Sequence, residues 1–153
     1  LHKAIRRQRQ MCIRDRMMTA LCLASKKGVD VRIITPGIPD KKLVFLLTQS
    51  YYQQLLAAGV RIYEYTPGFI HAKNFVCDDE LAVVGTINLD YRSLYLHFEC
   101  ATWMYQSRAV SQVKEDMLET FEISKEISLD MCRRQNIFRR GMQSILRLFA
   151  PML

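Results

Sequence analysis

A run of about eighteen apolar residues, the length a bilayer-spanning helix needs, is absent from the chain. The opening residues do not read as a signal peptide either. The five cysteines, Cys12, Cys22, Cys77, Cys100 and Cys132, are odd in number and form no CxxC pair. That usage excludes a zinc ribbon and a disulfide framework, and reads as reduced thiols facing a cytosol. Cys77 and Cys100 fall in strand-like runs, where a free cysteine acts as a small hydrophobe. Histidine is scarce: His2, His71 and His97 are all there is. His2 and His97 have no partner at ligand spacing. The acidic set Glu115, Asp116, Glu119, Glu122 and Glu126 has no histidine with it, so it reads as a solvated helix face rather than a metal site.

What is present is an ordinary globular composition. Half of the 153 residues are apolar and 24% are charged, enough for one domain with a real core. The net charge of +7 is unevenly spread. Residues 1–16 carry +5 and residues 131–153, which hold no acid, carry another +5, leaving 17–130 at −3. A protein that grips a polyanion concentrates positive charge around its site. Here the charge sits at the two ends, which argues against nucleic acid and for tails that lie on an anionic membrane surface.

Along the chain, Met17 to Lys27 predicts a short helix with Met17, Ala20, Leu21 and Ala24 on one face and Gly28 as its stop. Val29 to Thr35 predicts a strand, and Pro36 to Pro39 a turn. Asp40 is placed to cap a helix from Lys41 to Ala58, striped by Leu43, Leu46, Leu47, Tyr51 and Leu55. Gly59 ends that helix, and Val60 to Tyr65 makes a second strand. Strand, helix and strand at this spacing form a βαβ unit with parallel strands. A long helix is expected from Ser107 or Ser111 to about Cys132, buried through Val113, Met117, Phe121 and Leu118. The fold class is α/β, a mixed β-sheet sandwiched by helices.

The chemistry concentrates in residues 69–99. Lys73 to Val84 has strand-forming runs on both sides of Asp78-Asp79-Glu80 and reads as a β-hairpin. Side chains alternate along a strand, so His71 and Lys73 face the same way, with Phe75 behind them. An imidazole and an ammonium that converge on one pocket suit a phosphate ester. The ring attacks phosphorus while the ammonium holds the non-bridging oxygens. Asp78 falls on the opposite face, roughly 23 Å along an extended strand, and reads as a turn residue that bonds nearby backbone N–H groups. Asn88 follows in a loop opened by Gly85, and its amide can donate to a phosphate oxygen. Glu99 falls in the apolar run Phe98 to Met104. Its carboxylate there could accept from one ring nitrogen of His71 and leave the other free to attack. Tyr63, Tyr65 and Phe69 are candidates for an apolar entrance or for core packing.

The pattern His71-x-Lys73-x-x-x-x-Asp78, followed by Gly85-Thr86-x-Asn88, resembles the HKD motif of the phospholipase D superfamily. The longer string YEYTPGFIHAKNFVCDDE and GTINLDYRS is similar to the C-terminal HKD half of bacterial cardiolipin synthases. The resemblance is close from Met17 to about Trp103 and looser beyond. It implies a phospholipase D-like half; on the strand reading, the hairpin and the Phe98–Met104 strand extend the first sheet. It further implies a phosphatidyltransferase with catalytic His71, Lys73, Asp78, Asn88 and Glu99, moving a phosphatidyl group between phosphatidylglycerol molecules through a phosphohistidine. No cofactor and no metal are implied, since lysine supplies the charge a cation would. Thr86 stands where many superfamily members have serine and keeps the hydroxyl. Such enzymes sit at the bacterial cell membrane, with the catalytic domain on the cytoplasmic side.

Family enzymes build one site from two such motifs, and this chain has one. The expectation is therefore a C-terminal fragment of a two-motif enzyme, completed by a second half in cis or by a second copy. The alternatives are a homodimeric phosphodiesterase or nuclease and an inactive membrane-binding half. Residues 1–16 do not resemble the family. The run MCIRDR looks like a translated sequencing adapter, and its competing reading is a basic arm. Residues 17–135 form the expected catalytic half. Residues 136–153 form an amphipathic basic helix, with Phe138, Met142, Ile145, Leu146 and Phe149 on one side and Arg139, Arg140, Gln143, Ser144 and Arg147 on the other. Such a helix either lies in a membrane interface or docks on the domain with its arginines outward.

Overall fold

The computed structural model describes residues 17–134 and 136–149; the basic lead-in, 1–16, lies outside them. The chain opens with helix α1, residues 17–26, and continues as β1 (Arg32–Pro36), α2 (Lys42–Gln49), α3 (Tyr52–Ala57) and β2 (Arg61–Tyr65). Then come β3 (Asn74–Cys77), β4 (Leu81–Gly85), α4 (Tyr91–Tyr95), β5 (Ala101–Tyr105) and α5 (Arg108–Glu122). The described chain closes with β6 (Lys125–Ile127), α6 (Leu129–Arg133) and α7 (Ile137–Phe149). It is a mixed α/β fold with two three-stranded sheets, ordered β1-β2-β6 and β3-β4-β5, flanked by helices. The expected fold class holds, but the hairpin and β5 form a sheet of their own instead of extending the first.

Two compact units make up the chain. One comprises the described residues of 17–33, 41–62 and 126–149, and the other 34–40 and 63–125. The first unit is built on Tyr52, Leu55, Val60, Ile62, Ile127 and Cys132, with Ile62 fully buried. Met18, Leu21 and Cys22 of α1 pack against this cluster. The expected face is thus rotated by one position, because Met17 and Ala20 point to solvent. Gly28 and Gly59 stop their helices in the left-handed region, at φ +92° and +95°.

Arg61 N–H donates to the Val31 carbonyl at 2.9 Å, and Gly37 N–H donates to the Tyr65 carbonyl at 2.8 Å. The paired residue numbers rise together, so β1 and β2 are parallel as the βαβ reading requires. The single helix expected over 41–58 is interrupted. Ser50 Oγ donates to the Leu47 carbonyl at 2.6 Å and competes with the helical ladder there. The backbone stays in the right-handed region through Ser50 and Tyr51, so α3 continues from α2 after a short turn. Asp40 does not cap α2; Lys41 holds that position with no side-chain bond.

The long final helix of the sequence reading ends at Glu122 instead of near Cys132. Lys125–Ile127 leaves helical geometry to add β6 at the edge of the first sheet. Arg61 Nε donates to Glu126 Oε1 at 2.9 Å across that edge, and Ile127 is buried in the core. Ser128 then starts α6 by accepting from Met131 N–H at 3.3 Å, an N-cap.

In the second unit, α5 packs against β3, β4 and β5, with Ser107 at its N-cap and Val110 almost fully buried. Val113, Met117 and Phe121 are half-buried along it, whereas Leu118 is exposed. The Phe121 ring meets Tyr63 edge-on, centroids 4.8 Å apart, which settles Tyr63 as core.

Candidate active site

The hairpin forms because two β-branched and aromatic runs flank residues that accept an unusual turn. Asp78 and Asp79 take φ of 50° and 60°, and Glu80 N–H closes the turn on the Cys77 carbonyl at 3.2 Å. Two central residues at positive φ are the twist-matched turn of a tight hairpin. The pairing is antiparallel, Asn74 opposite Val84 and Cys77 opposite Leu81. At the open end, Gly85 N–H donates to the Lys73 carbonyl at 3.3 Å. The stretch that carries His71 and Lys73 is therefore brought back beside the loop that begins at Gly85.

His71 and Lys73 lie in irregular chain just before β3 rather than within a strand. His71 is exposed, its ring stacked on Phe69 at 6.0 Å between centroids. Lys73 Nζ donates to the His71 carbonyl at 2.9 Å, so the ammonium folds back on the backbone of His71. Phe69 is thus a ring neighbour of the histidine.

After β4 the chain makes its closest backbone approach. A side chain at Gly85 would come within 2.3 Å of the Cys100 carbonyl oxygen, so only glycine fits opposite Ala101. Thr86 N–H donates to the Cys100 carbonyl at 2.9 Å, and Cys100 N–H donates to Thr86 Oγ1 at 3.1 Å. The Thr86 hydroxyl donates to the Glu99 carboxylate. Asp90 caps α4 by accepting from Ser93 N–H at 2.7 Å. That places Ser93, which is buried, to accept from Asn88 Nδ2 at 3.1 Å and to bond Glu99. Asn88, Ser93, Glu99 and Thr86 form one hydrogen-bonded chain.

The Thr86 hydroxyl first, then the Ser93 hydroxyl, hold the Glu99 carboxyl below its ordinary value of 4.5. The charges of His97 and Lys73 add to this, and desolvation opposes it. A depressed folded-state value contributes stability that is present above the ordinary value and is lost as pH falls through the lowered one. Thr86→Val is therefore expected to raise the Glu99 pKa toward 4.5, and Ser93→Ala to raise it by less, read by NMR titration of the carboxyl carbon. An unchanged titration in Thr86→Val would remove the hydroxyl as its cause.

Of the expected site residues, Lys73, Asn88 and Glu99 are linked by bonds or charge around the Gly85 loop, with His71 held next to Lys73. Asp78 is not part of this group. It sits in the turn at the far end of the hairpin, as expected of a turn residue. However, its carboxylate accepts from the Cys77 thiol at 3.3 Å instead of from backbone N–H groups. That bond pushes the Cys77 thiol upward. Glu99 also departs from expectation: its hydrogen bonds come from Thr86 and Ser93, and none among the described residues goes to His71. Ser93 was not singled out in the sequence. The Asp90-x-x-Ser93 spacing, a cap and its third residue, is the signal that could have found it. Among the described residues, no group of histidine, cysteine, aspartate and glutamate could hold a metal ion.

Comparison with known proteins adds three findings. The family described as "Cardiolipin synthase, PLD-like domain" matches residues 3–121, beginning inside the basic lead-in. Cardiolipin synthase 2 of Bacillus anthracis is 40% identical over 91% of this chain and 27% of its own length. An uncharacterized protein of Streptococcus mutans is 52% identical over 90% of this chain and 30% of its own. The chain thus spans less than a third of these relatives. Among solved structures, Nuc of Salmonella typhimurium, a phospholipase D family member, superposes with a TM-score of 0.63 at 18% identity, covering 72% of each chain. That likeness concerns the fold.

Proposed function

Because the chain belongs to the cardiolipin synthase, phospholipase D-like domain family, we propose that it supplies one histidine-bearing half of a phosphatidyltransferase. The observation that carries this reading is the closure of the hairpin. The Lys73–Gly85 bond sets the His71-x-Lys73 stretch beside the Asn88–Ser93–Glu99–Thr86 chain. A nucleophile, a cation and amide donors then share one place.

In the proposed reaction a neutral His71 ring nitrogen attacks the phosphorus of phosphatidylglycerol. A P–N bond forms, the P–O bond to the headgroup glycerol breaks, and glycerol leaves with a proton from the partner half. The hydroxyl of a second phosphatidylglycerol then attacks, gives its proton to that partner group and displaces the histidine. Covalent catalysis divides one hard displacement into two. Lys73 and Asn88 stabilise charge on the non-bridging oxygens. An ammonium about 4 Å away contributes on the order of 4 kcal/mol at intermediate dielectric. Glu99, kept ionised by Thr86 and Ser93, stabilises the positive charge that grows on the imidazole.

The other half comes from the rest of a longer two-motif protein or from a second copy. Leu96 and Phe98, on the segment leading to Glu99, and Phe69 beside His71 are all strongly exposed. Apolar groups so close to the reacting residues suit cover by that half or by lipid chains. The site works at the bacterial membrane, where its substrate lies. The test is to supply the enzyme assembled from both halves with vesicles containing labelled phosphatidylglycerol. Cardiolipin and free glycerol are expected in equal amounts. Phosphatidic acid as the sole lipid product would make the protein a phosphodiesterase and overturn the transferase reading.

A further inference from the structure

Helix α7 is attached with its polar side inward. Arg139, Gln143 and Arg147 recur every fourth residue, a line along one face. Arg139 donates to Gln49 Oε1 at 2.6 Å, and Gln143 is buried at 7% exposure. Arg147 Nε donates to Ser50 Oγ at 3.0 Å, and its guanidinium lies 5.1 Å from the centroid of the Tyr51 ring. Arg147 stays exposed as a whole, and partial desolvation of its guanidinium lowers its pKa. The structure agrees with the docked reading of this helix but turns it: Arg139 and Arg147 reach the unit instead of pointing outward.

The consequence is an apolar face with no partner among the described residues. Phe138, Met142 and Ile145 follow at four- and three-residue steps and point to solvent, 74%, 42% and 59% exposed. Arg133 and Arg134, just ahead of the helix, are exposed too. No acid occurs in residues 131–153.

We propose that this face of α7 is a docking surface for an anionic lipid bilayer. Phe138, Met142 and Ile145 enter the headgroup–acyl boundary, while Arg133 and Arg134 meet lipid phosphate. The inward arginines act as the clamp that fixes the helix to the protein, so the surface is presented already ordered. Charge selects this occupant over a second copy. A symmetric contact between two such faces would bring like-charged, acid-free segments together, whereas a phosphatidylglycerol surface complements them. The proposal goes beyond the transfer chemistry and does not depend on it, because docking is read without turnover.

The experiment is sedimentation of the 153-residue chain with vesicles of phosphatidylglycerol and phosphatidylcholine, or of phosphatidylcholine alone, at low salt. The wild type is expected to partition onto the anionic vesicles. The double variant F138D/I145D is expected to lose about tenfold or more of that partition coefficient. R133E/R134E is expected to weaken it and to flatten its salt dependence. Both apolar positions are exposed, so thermal melting of F138D/I145D should match wild type. As a second readout, the emission of F138W, compared with the Trp103 background of wild type, should shift to the blue on adding anionic vesicles. Wild-type partition by F138D/I145D together with no shift in F138W would overturn the proposal. So would light scattering that shows a dimer abolished by F138D/I145D while vesicle binding is unchanged, since the face would then join two copies.

Discussion

Replacing His71 with asparagine is expected to lower phosphatidyl transfer by about 10⁴-fold or more in the assembled two-half enzyme and to abolish any acid-labile label on the chain. The size follows from what is removed. A nucleophile that forms the covalent intermediate has no substitute within its own half, and losses of this order accompany deletion of such groups. The cost to the fold is small. His71 is exposed, lies outside regular structure and contributes a ring contact to Phe69. The carbonyl that receives Lys73 Nζ belongs to the backbone and survives the change. Melting temperature should therefore be unaltered while turnover collapses. The direct measurement is mass spectrometry of the chain quenched in alkali during turnover. A phosphatidyl adduct that persists in His71→Asn at wild-type level would assign the nucleophile elsewhere.

Gly85→Ala is the second change with a large expected effect, and it acts through the backbone. The added Cβ would meet the Cys100 carbonyl oxygen at 2.3 Å and the Ala101 Cα at 2.6 Å. Neither atom can swing aside as a side chain would, so β4 and β5 must part where Gly85 and Ala101 are paired. Overpacking of this kind costs about 3 kcal/mol, or about 10 °C in melting temperature for a chain of this size. The displacement also pulls Thr86 from Cys100 and from Glu99, so the Glu99 pKa should rise in the same variant. Gly68→Ala is the matched control, because a Cβ there meets nothing within 4 Å. It should melt within about 1 °C of wild type. Equal melting of the two variants would show that the close approach at Gly85 relaxes freely.

The hairpin was legible because its residues agree at every level. Strand-forming runs surround three consecutive acids, and the glycine that follows marks the closest approach. The two glycine-stopped helices were legible for the same reason. What escaped were choices made by tertiary partners. Nothing local in Lys125–Ile127 favours a strand; pairing with β2, the Arg61–Glu126 bond and burial of Ile127 create β6. The division into two sheets likewise depends on which edges meet, and strand periodicity does not carry that. In α1 the pattern admitted two adjacent faces, and contact with the Tyr52–Ile62 cluster selected Met18, Leu21 and Cys22. For α7 the wheel showed two faces but not which one turns inward. At the candidate site, sequence reading singled out His71, Lys73, Asn88 and Glu99, and the structure draws Lys73, Asn88 and Glu99 round the Gly85 loop with His71 next to Lys73. The hydrogen-bond wiring was hidden because Ser93 enters through the cap of a five-residue helix that no periodicity announces.

The two ends of the hairpin are held very differently. At the turn, Lys114 Nζ pairs with Asp79 at 2.6 Å, Gln106 N–H donates to the Glu80 carbonyl at 2.7 Å, and the Gln106 amide reaches the Glu80 carboxylate. At the opposite end, residues 70–73 belong to no ladder, and His71 rests on an exposed ring. Mechanically this is a cantilever, clamped at its root by helix α5 and the end of β5 and tied at its tip by the bond from Gly85 N–H to the Lys73 carbonyl. In the proposed reaction, an imidazole carried outside the ladder would meet the phosphorus with the strand register beneath it left undisturbed.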